Sequence, residues 1–240
     1  MKPVNRLCAA IGLAVLAGSP ALAQDTDMPF QQGEHIVYAI KKLGLKAGEA
    51  TLTYAGPTHV NGRSANLIVF TAKGVNFYDE EKIFVDPVTF HPIQVQRDVD
   101  IWGKKEKIIE YYEAGQVRIV KTAGDITEEQ VIQKDDNLDN LYGFIYRYRR
   151  DGQFRLGEAM AMTLPTQDVM IKLSDMDKIK AGGDVYNAFY MQSDPKKYEV
   201  WFDSSPRRIP LRINGAVGFG NTSMQLREYQ ADHHQTARQK

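Results

Sequence analysis

The stretch Gly33–Gly56 reads GEHIVYAIKKLGLKAGEATLTYAG and sets the pattern that most of the chain follows. In each of its halves, apolar and polar side chains alternate with a period of two, which is typical of a β-strand with one buried face. The predicted buried sides carry Ile36, Tyr38 and Ile40, then Ala50, Leu52 and Tyr54. Gly44 and Gly48 lie between the halves and permit the backbone conformations of a tight turn. The stretch therefore predicts two strands joined by a turn.

Similar short segments recur along the chain and are separated by glycine, proline and asparagine. The predicted strands are Ala65–Ala72, Lys82–Asp86, Pro92–Trp102, Glu106–Tyr112, Gln116–Lys121, Ile126–Gln133, Ala159–Leu164, Val169–Ser174, Val185–Met191, Tyr198–Asp203, Ile209–Asn214 and Ser223–Tyr229. In one of them, the alternation places Ile93 on the same face as Val95. Short strands at close spacing are typical of antiparallel meanders. We therefore expect a mainly β protein with a large curved antiparallel sheet, which forms an open barrel or a two-layer sandwich.

One segment, Asp136–Arg150, departs from this pattern and is predicted to form the single α-helix midway along the chain. Its apolar residues recur at helical spacing and are expected to pack against the concave face of the sheet: Leu138, Leu141, Tyr142 and Ile145. Asp136 or Asn137 is a suitable N-cap, and Gly152 is a suitable stop.

Residues 1–23 are typical of a cleavable secretory signal. Lys2 and Arg6 precede an apolar run, and Ala21-Leu22-Ala23 matches an A-x-A cleavage site. We expect a mature protein in the bacterial periplasm, or a secreted one, with no transmembrane segment, because no later stretch is long and apolar enough. Residues 24–230 are predicted to form a single β domain that begins with a loose leader, Gln24–Gln32. Residues 231–240 are expected to be a disordered polar tail.

Composition excludes several classes of function. Cys8 is the only cysteine and lies inside the predicted signal, so the mature chain would have neither disulfides nor thiol chemistry. Removal of residues 1–23 leaves 28 basic and 30 acidic residues, a net charge of −2. A nearly neutral protein has no electrostatic attraction to nucleic acid, so no nucleic-acid partner is expected.

The motifs that usually carry chemistry are missing from the sequence or incomplete. Neither G-x-S-x-G nor H-E-x-x-H occurs. The run from Asp135 to Asp139 begins like a calcium loop but has Asn140 where glycine is needed. The pair His233-His234 lies in the predicted tail, and Gly215–Gly220 lacks the lysine of a phosphate loop. We therefore predict no catalytic residue, no metal and no cofactor, although a triad assembled in space is not recognisable from sequence.

Aromatic and methionine side chains are concentrated in the second half of the chain. Tyrosine is amphipathic and methionine is adaptable, so such a set can line a cavity for an apolar ligand. The predicted ligand-binding residues are Trp201, Tyr142, Tyr146, Met162 and Tyr190. The competing interpretation is that the same residues form the core, which is the commoner position for them. For Trp201, we favour a position covered by a loop or a helix over one in the wall of a cleft.

Three groups of residues resemble the domain of unknown function 3108 family of exported bacterial proteins. The first is Gly33-Glu34 with Tyr38, Gly44-Leu45 and Ala47-Gly48-Glu49-Ala50. The second is Asp86-Pro87 with Pro92, and the third is Trp201, Asp203 and Arg208-Ile209-Pro210-Leu211-Arg212-Ile213. The resemblance extends from about Gly33 to Tyr229. It implies a large curved antiparallel β structure with a helical segment midway, and it implies no activity or catalytic residue.

Three functions fit these observations. The leading one is a non-catalytic periplasmic binding or envelope-support protein, whose partner is an apolar or lipid-like ligand or an envelope protein. The second is a hydrolase of an envelope polymer with a site assembled across strands, which clustered carboxylates with shifted pKa values would favour. The third is a purely structural partner in an envelope complex, which an exposed apolar patch on a solid core would favour.

Overall fold

The computed structural model describes residues 28–135, 137–217 and 222–231. Within them the strands are β1 (Glu34–Lys42), β2 (Leu45–Val60), β3 (Arg63–Gly74), β4 (Phe77–Val85), β5 (Pro92–Ile101), β6 (Lys104–Glu113), β7 (Gln116–Ala123), β8 (Ile126–Gln133), β9 (Ala159–Leu164), β10 (Gln167–Ala181), β11 (Asp184–Asp194), β12 (Glu199–Asp203), β13 (Pro210–Asn214) and β14 (Thr222–Gln230). The helix α1 spans Leu141–Asp151. The predicted signal, the proposed cap Asp136 and the pair His233-His234 lie outside the described residues.

The strands form one 14-stranded antiparallel sheet in the order β8-β7-β6-β5-β4-β3-β2-β1-β14-β13-β12-β11-β10-β9. The predicted mainly β class with one helix is therefore confirmed, and the arrangement is a single open sheet. The strands at its two edges, β8 and β9, are consecutive in the chain and are joined through α1. The helix contacts β3 and β4 near the middle of the sheet and β9 at its edge.

The opening stretch forms the predicted pair of strands. Ile36, Tyr38, Ile40, Ala50, Leu52 and Tyr54 are all buried in the main core. Leu43 and Gly44 form the turn with φ values of 50° and 82°, and two positive φ values in a two-residue loop match the twist of a hairpin. Gly48 serves a different purpose, because a Cβ there would lie 2.3 Å from the carbonyl oxygen of Lys73.

The helix begins later than the sequence pattern predicts. Its N-cap is Asn140, whose side chain accepts hydrogen bonds from the amides of Tyr142 and Gly143 at 2.9 and 3.3 Å, so Asn137 is not the cap. The delay has a tertiary cause. Asp139 donates its amide to the Thr163 carbonyl at 2.6 Å and accepts the Thr163 amide on its carboxylate at 3.1 Å, which holds this segment along β9. The predicted stop is confirmed, since the Gly152 amide donates to Tyr148.

The helix packs against the concave face of the sheet, as predicted. Tyr142 stacks on Phe70 with ring centroids 4.1 Å apart, and Ile145 is 1% exposed. Leu138 is buried just before the helix, and Leu141 is partly buried against the same core. The helix thus fills the interior that the curved sheet surrounds.

Two long-range contacts show how strongly the sheet curls. Beyond the end of β8, the Lys134 ammonium lies 2.9 Å from the Asp168 carboxylate at the start of β10. At the opposite end of β10, the Gly182 amide donates to the Leu226 carbonyl, so the β10–β11 hairpin extends across the short strands β12 and β13 to β14. The curl brings the two edges of the sheet near each other on one side of the molecule.

Two expectations from the sequence are wrong. Ile93 does not share the packing of Val95, because a register shift between β4 and β5 at this point places it in a second, smaller core cluster. The expected loose leader is also packed at residues 28–30, whereas Gln31 and Gln32 are exposed. Phe30 is 4% exposed, and its ring lies 4.9 Å from that of Tyr54 and 4.7 Å from that of Tyr146.

Candidate functional site

The two edges of the sheet face each other across a cleft of about 530 Å³, which we call the seam cleft. Its lining comes from the end of β8 and the nearby turn on one side and from β9 and β10 on the other: Gly115, Gln133, Lys134, Asp135, Ala161, Thr163, Asp168, Val169 and Met170. The volume falls in the range of about 300–1,000 Å³ that is usual for ligand sites. The cleft marks the place where the curled sheet does not close.

The outer edge of β9 has unpaired backbone groups. In an antiparallel ladder, alternate residues turn both backbone groups toward the neighbouring strand. The Leu173 amide donates to Glu158, whereas Thr163 bonds to Asp139, so Ala159, Ala161 and Thr163 face away from β10. Among the described residues, Ala159 and Ala161 have no partner for these groups. β9 is therefore an open edge next to the seam cleft.

The opposite edge, β8, has the same alternation but a different composition. The Lys134 amide donates to Gly115, which places Gln133 among the residues whose backbone groups face outward. β8 carries Glu128 and Glu129, whereas β9 reads AMAMTL, with neither charge nor proline. Charges and prolines are the usual protection of an edge strand against pairing with other chains. Only the β9 edge of the cleft lacks this protection.

The seam cleft is crossed and bordered by charged groups that are largely paired. The ammonium of Lys134 contacts both oxygens of Asp168 at 2.9 and 3.0 Å. Behind β9, the buried Asp139 accepts from Arg147 at 2.7 Å and lies 3.4 Å from the His91 ring. The site is therefore nearly neutral, and it combines polar walls with the apolar surfaces of Val169 and Met170.

A second group, the carboxylate cluster, consists of Asp79, Glu81 and Glu110 around Arg97. Arg97 donates to the two oxygens of Asp79 at 2.8 and 2.6 Å and lies 3.4 Å from Glu81. The hydroxyl of Tyr112 donates to Glu110 at 2.5 Å. The cluster holds three carboxylates and one guanidinium, so its negative charge is only partly compensated.

Burial is the main cause of unusual protonation in this cluster. It raises the pKa of Glu81 to about 7, with opposition from the positive charge of Arg97 and reinforcement from Asp79 and Glu110. Burial also raises the pKa of Glu110, against the hydrogen bond from Tyr112. The helix cap Asn140 donates to Glu81 at 3.2 Å, which ties the cluster to the start of α1. A carboxyl group that titrates near neutral pH can act as a general acid or base.

The other end of α1 carries a charge pair of a different kind. Arg149 and Glu34 have fully buried side chains and form two hydrogen bonds, at 2.7 and 2.8 Å. Tyr146 and Tyr229 each donate to the same carboxylate at 3.1 Å, and Arg149 also donates to the Arg207 carbonyl at 3.0 Å. This cluster fixes the helix to β1, β14 and the turn before β13. Its geometry is that of a structural lock.

The structure separates the five predicted ligand-binding residues. Tyr142, Tyr146 and Met162 lie in the core, at 2%, 0% and 0% exposure. Trp201 and Tyr190 stack at 4.7 Å on the opposite face of the sheet, since the next residue, Phe202, is the one that meets the helix at Tyr148. None of the five lines the seam cleft. Their role in ligand binding stays a prediction.

Trp201 is buried, as favoured from the sequence, but its cover differs from the predicted loop or helix. Its indole N–H donates to Asp177 at 3.0 Å, and the Arg212 guanidinium lies 5.2 Å from its ring. These neighbours, like Tyr190, all belong to strands. Side chains of β10, β11 and β13 therefore cover the ring.

Sequence reasoning missed the residues that define both polar sites. Asp79 and Glu81 alternate with Ile83 on a buried face, so the period of two could have flagged them as charged groups directed inward. Asp139 carried no such signal, because its role depends on contact with Thr163 in another strand. The open edge at Ala161 depends on the strand order, which no local pattern encodes.

A curled open sheet around one buried helix, with a cleft at its seam, defines the structural class. The chain belongs to the family described as Protein of unknown function (DUF3108), whose model matches residues 36–227. The suspected resemblance is thereby confirmed. No curated protein matches the chain.

One solved structure shows a likeness of fold, and two others match with lower scores. The β-barrel-like protein of domain of unknown function DUF1849 from Brucella abortus is similar with a TM-score of 0.51 and 8% identity, over 84% of this chain and 98% of that one. A candidate exported protein with a YmcC-like fold from Bacteroides fragilis has a TM-score of 0.30 and 7% identity, over 85% and 98%. A candidate lipoprotein from Parabacteroides distasonis has a TM-score of 0.27 and 7% identity, over 86% and 100%. Within the described part of the chain, no helix is long and apolar enough to cross a membrane.

Proposed function

We propose that this protein is a non-catalytic binding protein of the bacterial cell envelope and that its ligand occupies the seam cleft. The observation that carries the proposal is the open edge of β9 in a cleft of ligand-sized volume. Elsewhere, the ion pairs that Arg147 and Arg149 of α1 form with Asp139 and Glu34 are largely buried, and we assign them a structural role. The seam cleft is where the fold offers a partner both apolar surface and unpaired hydrogen-bonding groups.

Location in the envelope is part of the same proposal. It rests on the N-terminal sequence, in which Lys2 and Arg6, an apolar run and an A-x-A site follow the order of a secretory signal. The mature protein would begin at Gln24 in the periplasm or outside the cell. An apolar or lipid-like ligand and an envelope protein are both compatible with this location.

Binding at the seam cleft is tested by native mass spectrometry of the protein purified from its own host. The wild type should retain a bound molecule. Ala161→Trp should lose it by filling the cleft, and Val88→Trp, at a loop position that is 78% exposed, should retain it. A wild-type protein that carries no bound mass, or an Ala161→Trp protein that carries the same mass, would contradict the proposal.

The predicted ligand-binding role of Trp201 is tested separately. Because the ring is buried between strands, we expect Trp201→Ala to lower the free energy of unfolding by about 3–5 kcal/mol. Chemical denaturation measures this loss. If Trp201 instead walls a binding site, the variant should keep its stability and lose its bound molecule.

A second function, hydrolysis of an envelope polymer, is favoured by one observation. Glu81 has a pKa of about 7 and lies in the same cluster as Glu110, whose pKa is also raised, and such groups are common at catalytic sites. Purified cell-wall polymer incubated with the protein should then yield soluble fragments, and Glu81→Gln should abolish their release. Intact polymer after incubation with the wild type would remove this alternative.

A further inference from the structure

The β9 edge of the seam cleft is a template for an added strand. It lacks charge, proline and bulge, and its pairing with β10 runs without a register shift. Natural edge strands usually carry at least one of these protections. At one end, Asp139 already pairs with Thr163 through a backbone bond of 2.6 Å. The edge therefore accepts a neighbouring chain at Thr163 and continues beyond it with Ala159 and Ala161.

We propose that an extended polypeptide segment of a partner protein enters the seam cleft and adds to β9 as a further strand. This inference rests on the proposed function and names the chemical class of its ligand. The partner backbone would bond to the outward amides and carbonyls of Ala159 and Ala161, in the manner of β-augmentation. A segment of a few residues supplies such groups at the required spacing, because its own N–H and C=O groups also alternate.

The side chains beside the edge indicate which residues the segment carries. On the inner face, Met160 and Ile132 are partly buried against the core from opposite sides of the gap. On the outer face, Ala161 pairs with Met170, which is 45% exposed. Alternate residues of an added strand point to opposite faces, so inward positions next to Met160 favour apolar side chains. The small alanines leave room for side chains on the outer face.

The size of the seam cleft favours a single extended segment over the folded edge of a second copy. The Lys134–Asp168 ion pair joins the two sides at the level of Thr163, which pairs with Asp168. A second folded copy would have to bring its adjoining strands, each about 4.8 Å further away, into a cleft of about 530 Å³. A single strand brings no adjoining strands, and it would pair with β9 at Ala159 and Ala161, beyond the ion pair.

The experiment uses a displayed library of short random peptides, selected on the intact mature protein. The best binder is synthesised and its affinity measured for the wild type and two variants. Ala161→Pro removes an amide that faces outward, so it should lower the affinity for the peptide about tenfold or more while the β9–β10 hydrogen bonds are kept. Thr127→Pro is the matched control, because it removes an outward amide from β8 at a position that does not line the cleft.

A second measurement does not depend on how the variants fold. The peptide is resynthesised with single N-methyl groups along its length. Only every second amide of the peptide faces β9. Methylation of one of these amides should abolish binding to the wild type, and methylation of an amide at the positions between them should leave binding unchanged. Failure to select any peptide, equal loss at both sets of positions, or an unchanged affinity in a folded Ala161→Pro protein would overturn the inference.

Two further arms separate this inference from the proposed function. If palmitate binds to the wild type and not to Ala161→Trp, and no peptide binds, the inference of an added strand is wrong and the proposed function stands. If neither probe binds to the cleft, both fail. A concentration-dependent dimer that Ala161→Pro removes would show a second copy at the edge, which also overturns the inference.

Discussion

The two ends of α1 use similar residues in different ways. At the C-terminal end, Glu34 receives two hydrogen bonds from Arg149 and one each from Tyr146 and Tyr229, all within the core. At the N-terminal end, Asn140 contacts Glu81, whose cluster has more carboxylates than cations, and the preceding segment runs along the open edge of β9. The C-terminal end, which we call the closed end, is buried and its charges are balanced. The N-terminal end contacts a carboxyl group that titrates near neutral pH, and it adjoins the seam cleft.

This difference shows where the fold is fixed and where it is available for function. Hydrogen bonds to a buried ion pair offset its desolvation, and the Glu34 carboxylate accepts four of them, while the Nε of Arg149 is buried without a partner among the described residues. The Glu81 end instead meets the cost of burial by retaining a proton near neutral pH. We therefore infer that the Glu34 end stabilises the fold at any pH near neutral, whereas the contribution of the Glu81 end to stability depends on pH.

The largest effect should come from breaking the closed end. Arg149→Met leaves the Glu34 carboxylate buried without its cation, so the free energy of unfolding should fall by about 3–5 kcal/mol in chemical denaturation. Arg227→Met is the matched control, because it breaks a pair of the same 2.7 Å length whose side chains are 50% and 30% exposed. That variant should lose about 0–1 kcal/mol. Equal losses in the two variants would show that the closed end has no special role.

The second largest effect should be a pH dependence of the free energy of unfolding that arises from Glu81. Glu81 titrates at about 7 in the folded protein and near 4.5 when unperturbed, so the folded state binds more protons between these values. The free energy of unfolding should therefore fall as pH rises through this interval, by on the order of 3 kcal/mol. Glu81→Gln should remove most of the fall, with a residual slope of the same sign from Glu110.

The control for this prediction is a neighbour on the opposite face of β4. Glu80→Gln should keep the fall, because the pKa of Glu80 is lowered, chiefly by a hydrogen bond from Tyr78, and its contribution has the opposite sign. Denaturation curves between about pH 5 and about pH 8 measure all three proteins. A flat profile in the wild type would mean that Glu81 is ionised throughout.

A smaller effect is expected where α1 meets the seam. Asp139→Asn keeps the shape of the side chain but weakens its bonds to Arg147 and to the Thr163 amide. We expect a loss of about 1–3 kcal/mol and faster hydrogen exchange at the Thr163 amide. If stability falls but that amide stays as protected as in the wild type, Asp139 does not hold the end of β9.

The sequence predicts the strands of this protein well because their signal is local. Ile36, Tyr38 and Ile40 alternate with polar residues, and burial of one face of the sheet is enough to explain them. The helix stripe through Tyr142 and Ile145 is equally local. The start of the helix is not, since the pattern includes Leu138 although Asp139 is held along β9.

The candidate site depends on which strands become edges, and no local pattern states this. Lys134 and Asp168 are far apart in the chain and meet only because the sheet curls. The aromatic residues that suggested a ligand site are all buried or packed against the core, with Tyr146 on the helix and Trp201 stacked on Tyr190 at the opposite face of the sheet. Composition indicated binding chemistry, but position in the sheet decides which residues a ligand can reach.

The central claim is that β9 presents an open edge, and hydrogen exchange at single amides tests it most directly. In the free protein, the amides of Met160 and Met162 face β10 and should exchange slowly, whereas those of Ala159 and Ala161 should exchange quickly. A bound strand should then protect Ala159 and Ala161 selectively. Slow exchange at Ala161 in the free protein would show that the edge is already paired, and it would contradict the account.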